Sequence, residues 1–256
     1  MKKTIAVLIS VLMMLSVLPA ASVDTQADWN MASQIVQDIE RPQIPTDYSV
    51  NIKDMGAKGD GVSDDLPVLQ QAIDETSERG GGRVIVPEGT YYLAGPVNLK
   101  SYVDLHLEEG SRLLFSPNPE DYPTVHSRWE GTELMNYSAF VYAYEQHDIA
   151  ITGTGTIDGN ADSEFHSFTK LQKPDQNQLR DYGFNGVPVE ERVFGQGHYL
   201  RPSAVQINYC QRVLLQDYTV TNSPFWVNHL NCSDHVQVDG INVDSMFANN
   251  DGVDVE

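Results

Sequence analysis

With 256 residues, 41% hydrophobic and 9% aromatic, the chain carries enough apolar material for a substantial core and is not a disordered polymer. Its formal net charge of −20 argues against nucleic acid and anionic membrane surfaces as partners. Two cysteines, Cys210 and Cys232, are too few for a disulfide framework.

The chain starts with a basic pair, Lys2-Lys3, then an apolar run from Ile5 to Val17, then the small-residue stretch Pro19-Ala20-Ala21-Ser22. This three-part pattern reads as a secretory signal over residues 1–22 and predicts a secreted protein, extracellular or periplasmic. The run is too short for a comfortable membrane span, and no cysteine follows it to accept a lipid. Residues 23–50 read as an extended leader containing Pro42 and Pro45.

One helix is legible next. Leu66, Leu69, Ala72, Ile73 and Thr76 recur at helical spacing, Pro67 suits the first turn, and Gly80-Gly81-Gly82 ends the pattern. Asp60, Asp64 and Asp65 precede it and read as capping residues. From Gly82 onward the segments are short and rich in β-branched residues, as in Arg83–Val86, Tyr102–Leu107, Asp148–Thr152, Arg212–Leu215 and His235–Val238.

Their spacing decides between architectures. The interval from Val213 to Val236 equals that from Val220 to Val243. A fixed interval of that size holding three short strands is what one coil of a parallel β-helix requires, whereas a sandwich has no reason to repeat. The fold class expected is all-β, a right-handed parallel β-helix over 51–256 with an N-terminal capping helix. The interval from Cys210 to Cys232 is nearly the same, so the two cysteines are expected to stack on neighbouring coils, reduced or bridged. Residues 160–200 escape the repeat and, with Phe165, Phe168, Tyr182, Phe184 and Phe194, read as a long loop lining a cleft.

The chemistry concentrates at Asn249-Asn250-Asp251-Gly252-Val253-Asp254-Val255-Glu256. Alternation along a strand predicts opposite faces for Asp251 and Asp254, with Asp251 facing outward. Asp158, in an Asp-Gly pair, reads as a turn residue. His229 is expected to share a face with Phe225 and Val227, close to Trp226, and is a candidate sugar contact. No spacing of His, Cys and carboxylates resembles a metal site, and no cofactor motif is present.

These segments resemble glycoside hydrolase family 28, the polygalacturonase family, within the pectin-lyase-like β-helix group. The resemblance rests on Gly56-Ala57-Lys58-Gly59-Asp60-Gly61 with Asp64-Asp65, on Gly82–Pro87 with Gly89-Thr90-Tyr91, on Leu113–Pro117 and on Ile151–Gly159. Phe194–Pro202, Asn222-Ser223-Pro224-Phe225-Trp226 and Asn249–Asp254 complete it. It implies an inverting hydrolase of pectin-type polysaccharide, monomeric, in which Asp251 is one of the bases that activate water. Asn249, His229 and Arg201 then stand as substrate contacts. Asn250 replaces the threonine of the family's Asn-Thr-Asp motif. The family's next motif, an Asp-Asp pair supplying the general acid, would fall about one coil beyond Glu256, so the chain is expected to hold part of an active site and to be inactive alone. Two alternatives stand beside this reading: a pectate lyase, which would make an ultraviolet-absorbing product, and a non-catalytic carbohydrate-binding or adhesive β-helix.

Overall fold

A computed structural model describes residues 25–256, so the predicted signal over 1–22 lies outside the described residues. Thr25–Asp38 forms a helix, α1, where an extended leader was expected. Its residues satisfy one another locally at i,i+4: Gln26 with Asn30 at 3.1 Å, Gln34 with Asp38 at 2.8 Å. It is a separate compact unit, with Trp29, Met31, Ile35 and Val36 exposed. Among the described residues, no helix is long and apolar enough to cross a membrane.

From Ile39 on, the chain winds as stacked coils with three parallel sheets. The first sheet stacks strands Ser49–Asn51, Gly82–Val86, Val103–Leu107, His147–Gly153, Gln211–Gln216 and Asp234–Asp239; the second stacks Asp60–Asp64, Gly89–Leu93, Ser111–Phe115, Thr156–Asp158, Thr219–Thr221 and Asn242–Asp244. The third contains Val97–Asn98, Val141–Tyr144, Val205–Asn208, Asn228–Asn231 and Val253–Val255. Val213 lies opposite Val236, and Val220 opposite Val243, the register that their common interval predicts.

The inward column of the first sheet runs Val84, Leu105, Ile151, Leu215, all fully buried. Each such side chain contributes about 1.5–3 kcal/mol of burial, and each can do so only because the coil beneath supplies its floor. The third sheet's column, Val97, Val141, Val205, is interrupted by Asn228. That buried amide accepts from the Tyr218 hydroxyl at 2.7 Å and donates to the Gly252 carbonyl at 2.9 Å, so it is not left unsatisfied. Helix α2, Leu66–Glu78, closes the column's first coil by burying Leu69, Ala72, Ile73 and Thr76. The two aspartates just before it, both expected as caps, divide the work. Asp65 Oδ1 and Oδ2 accept from the amides of Lys58 and Gly59, tying down the preceding turn, and Asp64 is the one that accepts from Leu66.

The corners between the third and first sheets repeat. Glu145, Tyr209 and Cys232 take φ of 53°, 53° and 46°; Asp148, Arg212 and His235 take 53°, 53° and 50°. The same register separates the two thiols. Asn208 pairs with Asn231, which puts Cys232 level with Tyr209 rather than with Cys210. Cys210 is buried and Cys232 exposed, both free. The expected cysteine stack does not form, because the interval between the two is one residue shorter than the coil.

Two insertions cover the outer face of the third sheet. One is an antiparallel hairpin, Thr124–Trp129 with Thr132–Tyr137, turned by Glu130 and Gly131 at φ 43° and 82°. The other is residues 160–200, expected as a loop but structured: a 3-10 turn at Glu164–Lys170, helix α3 at Lys173–Phe184, and strand Val193–Phe194 added to the hairpin. Together they bury Trp129, Leu134, Leu179, Phe194, Leu200 and Phe225 as a second apolar cluster.

Candidate active site

The outward positions of the third sheet form a polar column, Tyr142, Gln206, His229 and Asp254, in register across four coils. The hairpin packs on it: Ser127 Oγ donates to Gln206 Oε1 at 2.9 Å, and the Tyr142 hydroxyl donates to the His126 carbonyl at 2.6 Å. Gln206 Oε1 also accepts from Asn208, while its amide nitrogen bonds the Arg128 carbonyl and His229 Nδ1, the latter at 3.1 Å. That pattern fixes the amide orientation. It makes Nδ1 an acceptor and leaves the proton on Nε2, which donates to Glu256 Oε2 at 3.1 Å.

His229 is fully buried, with the Trp226 ring edge-on to it at 4.8 Å. Its ring, expected as a sugar contact, is buried beneath Glu256 and holds that carboxylate. It does not share a face with Val227, which lies in the coil core: the strand begins at Asn228, so alternation starts one residue later than assumed. Glu256 is also paired with Arg128 at 3.1 Å. Burial works to raise its pKa, but His229 and Arg128 outweigh that and hold it below the usual range.

Asp251 lies in the turn before Val253–Val255. The side chain is exposed, and no described residue bonds its carboxylate; only its carbonyl is engaged, accepting from Val227 at 2.9 Å. Because Asp251 precedes the strand, strand alternation does not separate it from Asp254. The two carboxyls feel one another: burial first, and then the charge of Asp251, push Asp254 up to about 6. Asp254 Oδ2 is buried without a partner, so the carboxyl holds a proton well into the mildly acidic range.

Two residues set this turn. Asn250 uses its whole amide: Nδ2 donates to the carbonyls of Ser223 and Phe225 at 2.9 and 2.8 Å, and Oδ1 accepts from Ser245 and the Phe247 amide at 2.7 and 2.8 Å. A threonine could not make all four bonds, so the departure from the family motif has a local structural use. Arg201 is fully buried and donates to Gln172 Oε1 at 2.9 Å, to the carbonyls of Pro224 and Ala248 at 2.6 and 2.8 Å, and to Asn249 Oδ1 at 2.7 Å. Its guanidinium lies 4.8 Å from the Phe225 ring centroid. Burial lowers its pKa to about 10, still charged at neutral pH. Arg201 is thus a clamp on the turn rather than an exposed ligand contact, and Asn249, at φ 63°, spends its carbonyl oxygen on that clamp.

Elsewhere the competing carboxylates are committed. Asp158 is buried at a strand end rather than in a turn, paired with Arg112 and accepting from Asn222 at 2.9 Å. Among the described residues no group of His, Cys, Asp and Glu is arranged to hold a metal ion. The sequence reading missed the hairpin, Gln206 and Arg128. Two six-residue runs flanking Glu130-Gly131 were the available hairpin signal.

Residues 49–106 match the family described as rhamnogalacturonase A/epimerase, pectate lyase-like. An exopolygalacturonase of Thermotoga maritima superposes with a TM-score of 0.83 at 42% identity, over 88% of this chain and 52% of that one. A Vitis vinifera protein named probable polygalacturonase is 26% identical over 205 residues, 77% of this chain and 37% of its own length. An Azotobacter vinelandii protein named alginate lyase 7 is 51% identical over 145 residues, 56% of this chain and 16% of its own. The chain therefore spans about half, or less, of the length of the relatives it matches.

Proposed function

Starting from a chain that is polygalacturonase-like, of the glycoside hydrolase family 28 type, we propose that the protein hydrolyses galacturonosyl bonds of pectin-type polysaccharide with inversion of configuration. Asp251 acts as a base toward water. The observation that carries this reading is an exposed, unbonded carboxylate, held in a clamped turn beside Asp254, a carboxyl that keeps its proton up to about 6. In an inverting hydrolysis the base and the acid stand on opposite faces of the sugar, roughly 6.5–9.5 Å apart. That the 256-residue chain taken by itself binds substrate without completing turnover is part of the proposal. Export from the cell is part of the proposal and rests on the pattern of residues 1–22.

The test uses polygalacturonate with the natural full-length protein and its Asp251→Asn form. The expected result is release of reducing ends with inverted anomeric configuration by NMR, lost in the variant. An ultraviolet-absorbing unsaturated product would overturn hydrolysis in favour of elimination. Binding without turnover by the full-length protein would overturn the enzymatic reading, and reducing ends released by the 256-residue chain would overturn its predicted inactivity.

A further inference from the structure

Between the hairpin tip and helix α3 lies an open cavity of about 400 Å³, within the ~300–1,000 Å³ range of small-molecule sites. Arg128, Arg180 and Arg192 converge on it, three cations in a chain with 16 Lys and Arg against 36 Asp and Glu. Each keeps donors to spare. Arg180 bonds Glu130 through one Nη2 contact at 2.9 Å, leaving Nε and Nη1 unengaged. Arg192 spends Nε and Nη1 on the carbonyls of Val187 and Glu133 at 2.8 and 2.9 Å, leaving Nη2. Arg128 holds Glu256 through Nε and has a long 3.9 Å contact from Nη1 to Cys232 Sγ, leaving Nη2. The lining carboxylate, Glu133, is already engaged by the Tyr209 hydroxyl and by His126 at 3.3 Å.

The remaining lining fits a sugar. Gly131 and Gly183 present backbone, and Phe184 at the end of α3 is 93% exposed, a large apolar ring left on the rim of a polar cavity. The cavity also adjoins the site described above, because Arg128 is the residue that grips Glu256, itself held by His229.

We propose that Arg128, Arg180 and Arg192 form a carboxylate-binding pocket that takes a uronate residue of the polysaccharide, with Phe184 against the sugar ring. It rests on the galacturonan reading and extends it to a site made by the two insertions rather than by the coils. Arginine suits this task because its donors meet a carboxylate in pairs and its charge persists at any physiological pH. Charge balance supports the assignment: Arg128 is paired with Glu256 and Arg180 with Glu130, whereas Arg192 bonds only backbone carbonyls, so a bound anion meets free N–H groups and a guanidinium that no carboxylate pairs.

The experiment measures binding of trigalacturonate and of its methyl-esterified form by calorimetry to the 256-residue chain carrying Asp251→Asn, so that no turnover intervenes. The acid form is expected to bind at least tenfold more tightly than the ester, and the preference should shrink as salt is added. Arg180→Gln, an exposed change with one partner to lose, should weaken the acid form about tenfold, the scale of one charged hydrogen bond, with thermal melting unchanged. Glu130→Gln should act in the opposite sense by releasing Arg180. If the parent chain binds trigalacturonate but neither substitution alters affinity, the pocket is wrong while the galacturonan reading survives. If the parent binds neither form, the galacturonan reading itself fails. Equal affinity for acid and ester would overturn the carboxylate assignment.

Discussion

Replacing Arg201 by methionine tests whether the turn that carries Asp251 is held by one buried side chain. The substitution removes four hydrogen bonds, two of them to backbone carbonyls of Pro224 and Ala248 and two to the side-chain oxygens of Gln172 and Asn249. Bonds from a charged donor contribute roughly 1.5–3 kcal/mol each, but their sum overstates the effect, since burying the guanidinium without a carboxylate costs several kcal/mol that methionine does not incur. The two amide side chains can rotate toward water. The two carbonyls, deprived of their donor next to Phe225, lose about 1–3 kcal/mol each. The net expectation is a loss of about 2–4 kcal/mol.

Arg201→Lys sharpens the test. An ammonium keeps the charge and its desolvation but cannot span acceptors on three segments, so it should recover less than half of the loss. Urea unfolding followed by tryptophan fluorescence and by circular dichroism gives the midpoint, compared at constant m-value. Hydrogen exchange should accelerate at the amides of Val227 and Asn228, whose acceptors are the carbonyls of Asp251 and Gly252. The clamp is refuted by a methionine variant within about 0.5 kcal/mol of the parent, the spread of surface substitutions that touch nothing of consequence. Unaltered exchange at those two amides would refute it equally.

Asp254→Asn is expected to stabilise the fold at pH 7. The folded carboxyl, raised from 3.8 to about 6, binds more protons than the unfolded one between those values, so parental stability falls as pH rises through that window, the reverse of a salt-bridged carboxylate. After allowance for solvent screening the gain is about 1 kcal/mol. Urea midpoints from pH 4 to 7 should slope downward in the parent and lose that component in the variant; identical pH profiles would sink the argument. Gly153→Ala is expected to cost more than about 3 kcal/mol, because φ there is +92° and a Cβ would stand 2.1 Å from the Leu107 carbonyl oxygen. A thermal melt within about a degree of the parent, well under about 1 kcal/mol, would show that the coil yields at this point.

How far the sequence carried depended on whether a feature was periodic. Val213 with Val236 and Val220 with Val243 announce the register because a solenoid repeats its contacts along the chain. The cysteine pair, one residue short of the period, looked like part of that repeat and was not. Asp251 was visible in its motif, and it lies exposed just before the last strand rather than within it. Arg201 and His229 were visible as residues but not as environments. Their burial is made by Gln172, Trp226 and the hairpin, contacts between distant segments that no local pattern encodes. The helix at Thr25–Asp38 was lost to the prolines that follow it at 42 and 45, which govern only their own neighbourhood.

The repeated corners carry a wider consequence. Glutamate, tyrosine and cysteine occupy one left-handed position in successive coils, and aspartate, arginine and histidine the other. Aspartate and histidine belong to the types that tolerate it best, but glutamate, tyrosine, cysteine and arginine have no such preference, and the conformation costs an ordinary L-residue about 1–2 kcal/mol. The shape of each corner is copied from the coil beneath, whose hydrogen bonds leave the backbone no other path. Inheritance of shape frees the corner side chains from specifying it, and they can diverge as a surface does. The same copying makes coil number a quantity that duplication or loss can change in whole units, because an added turn finds its conformation already written on its neighbour.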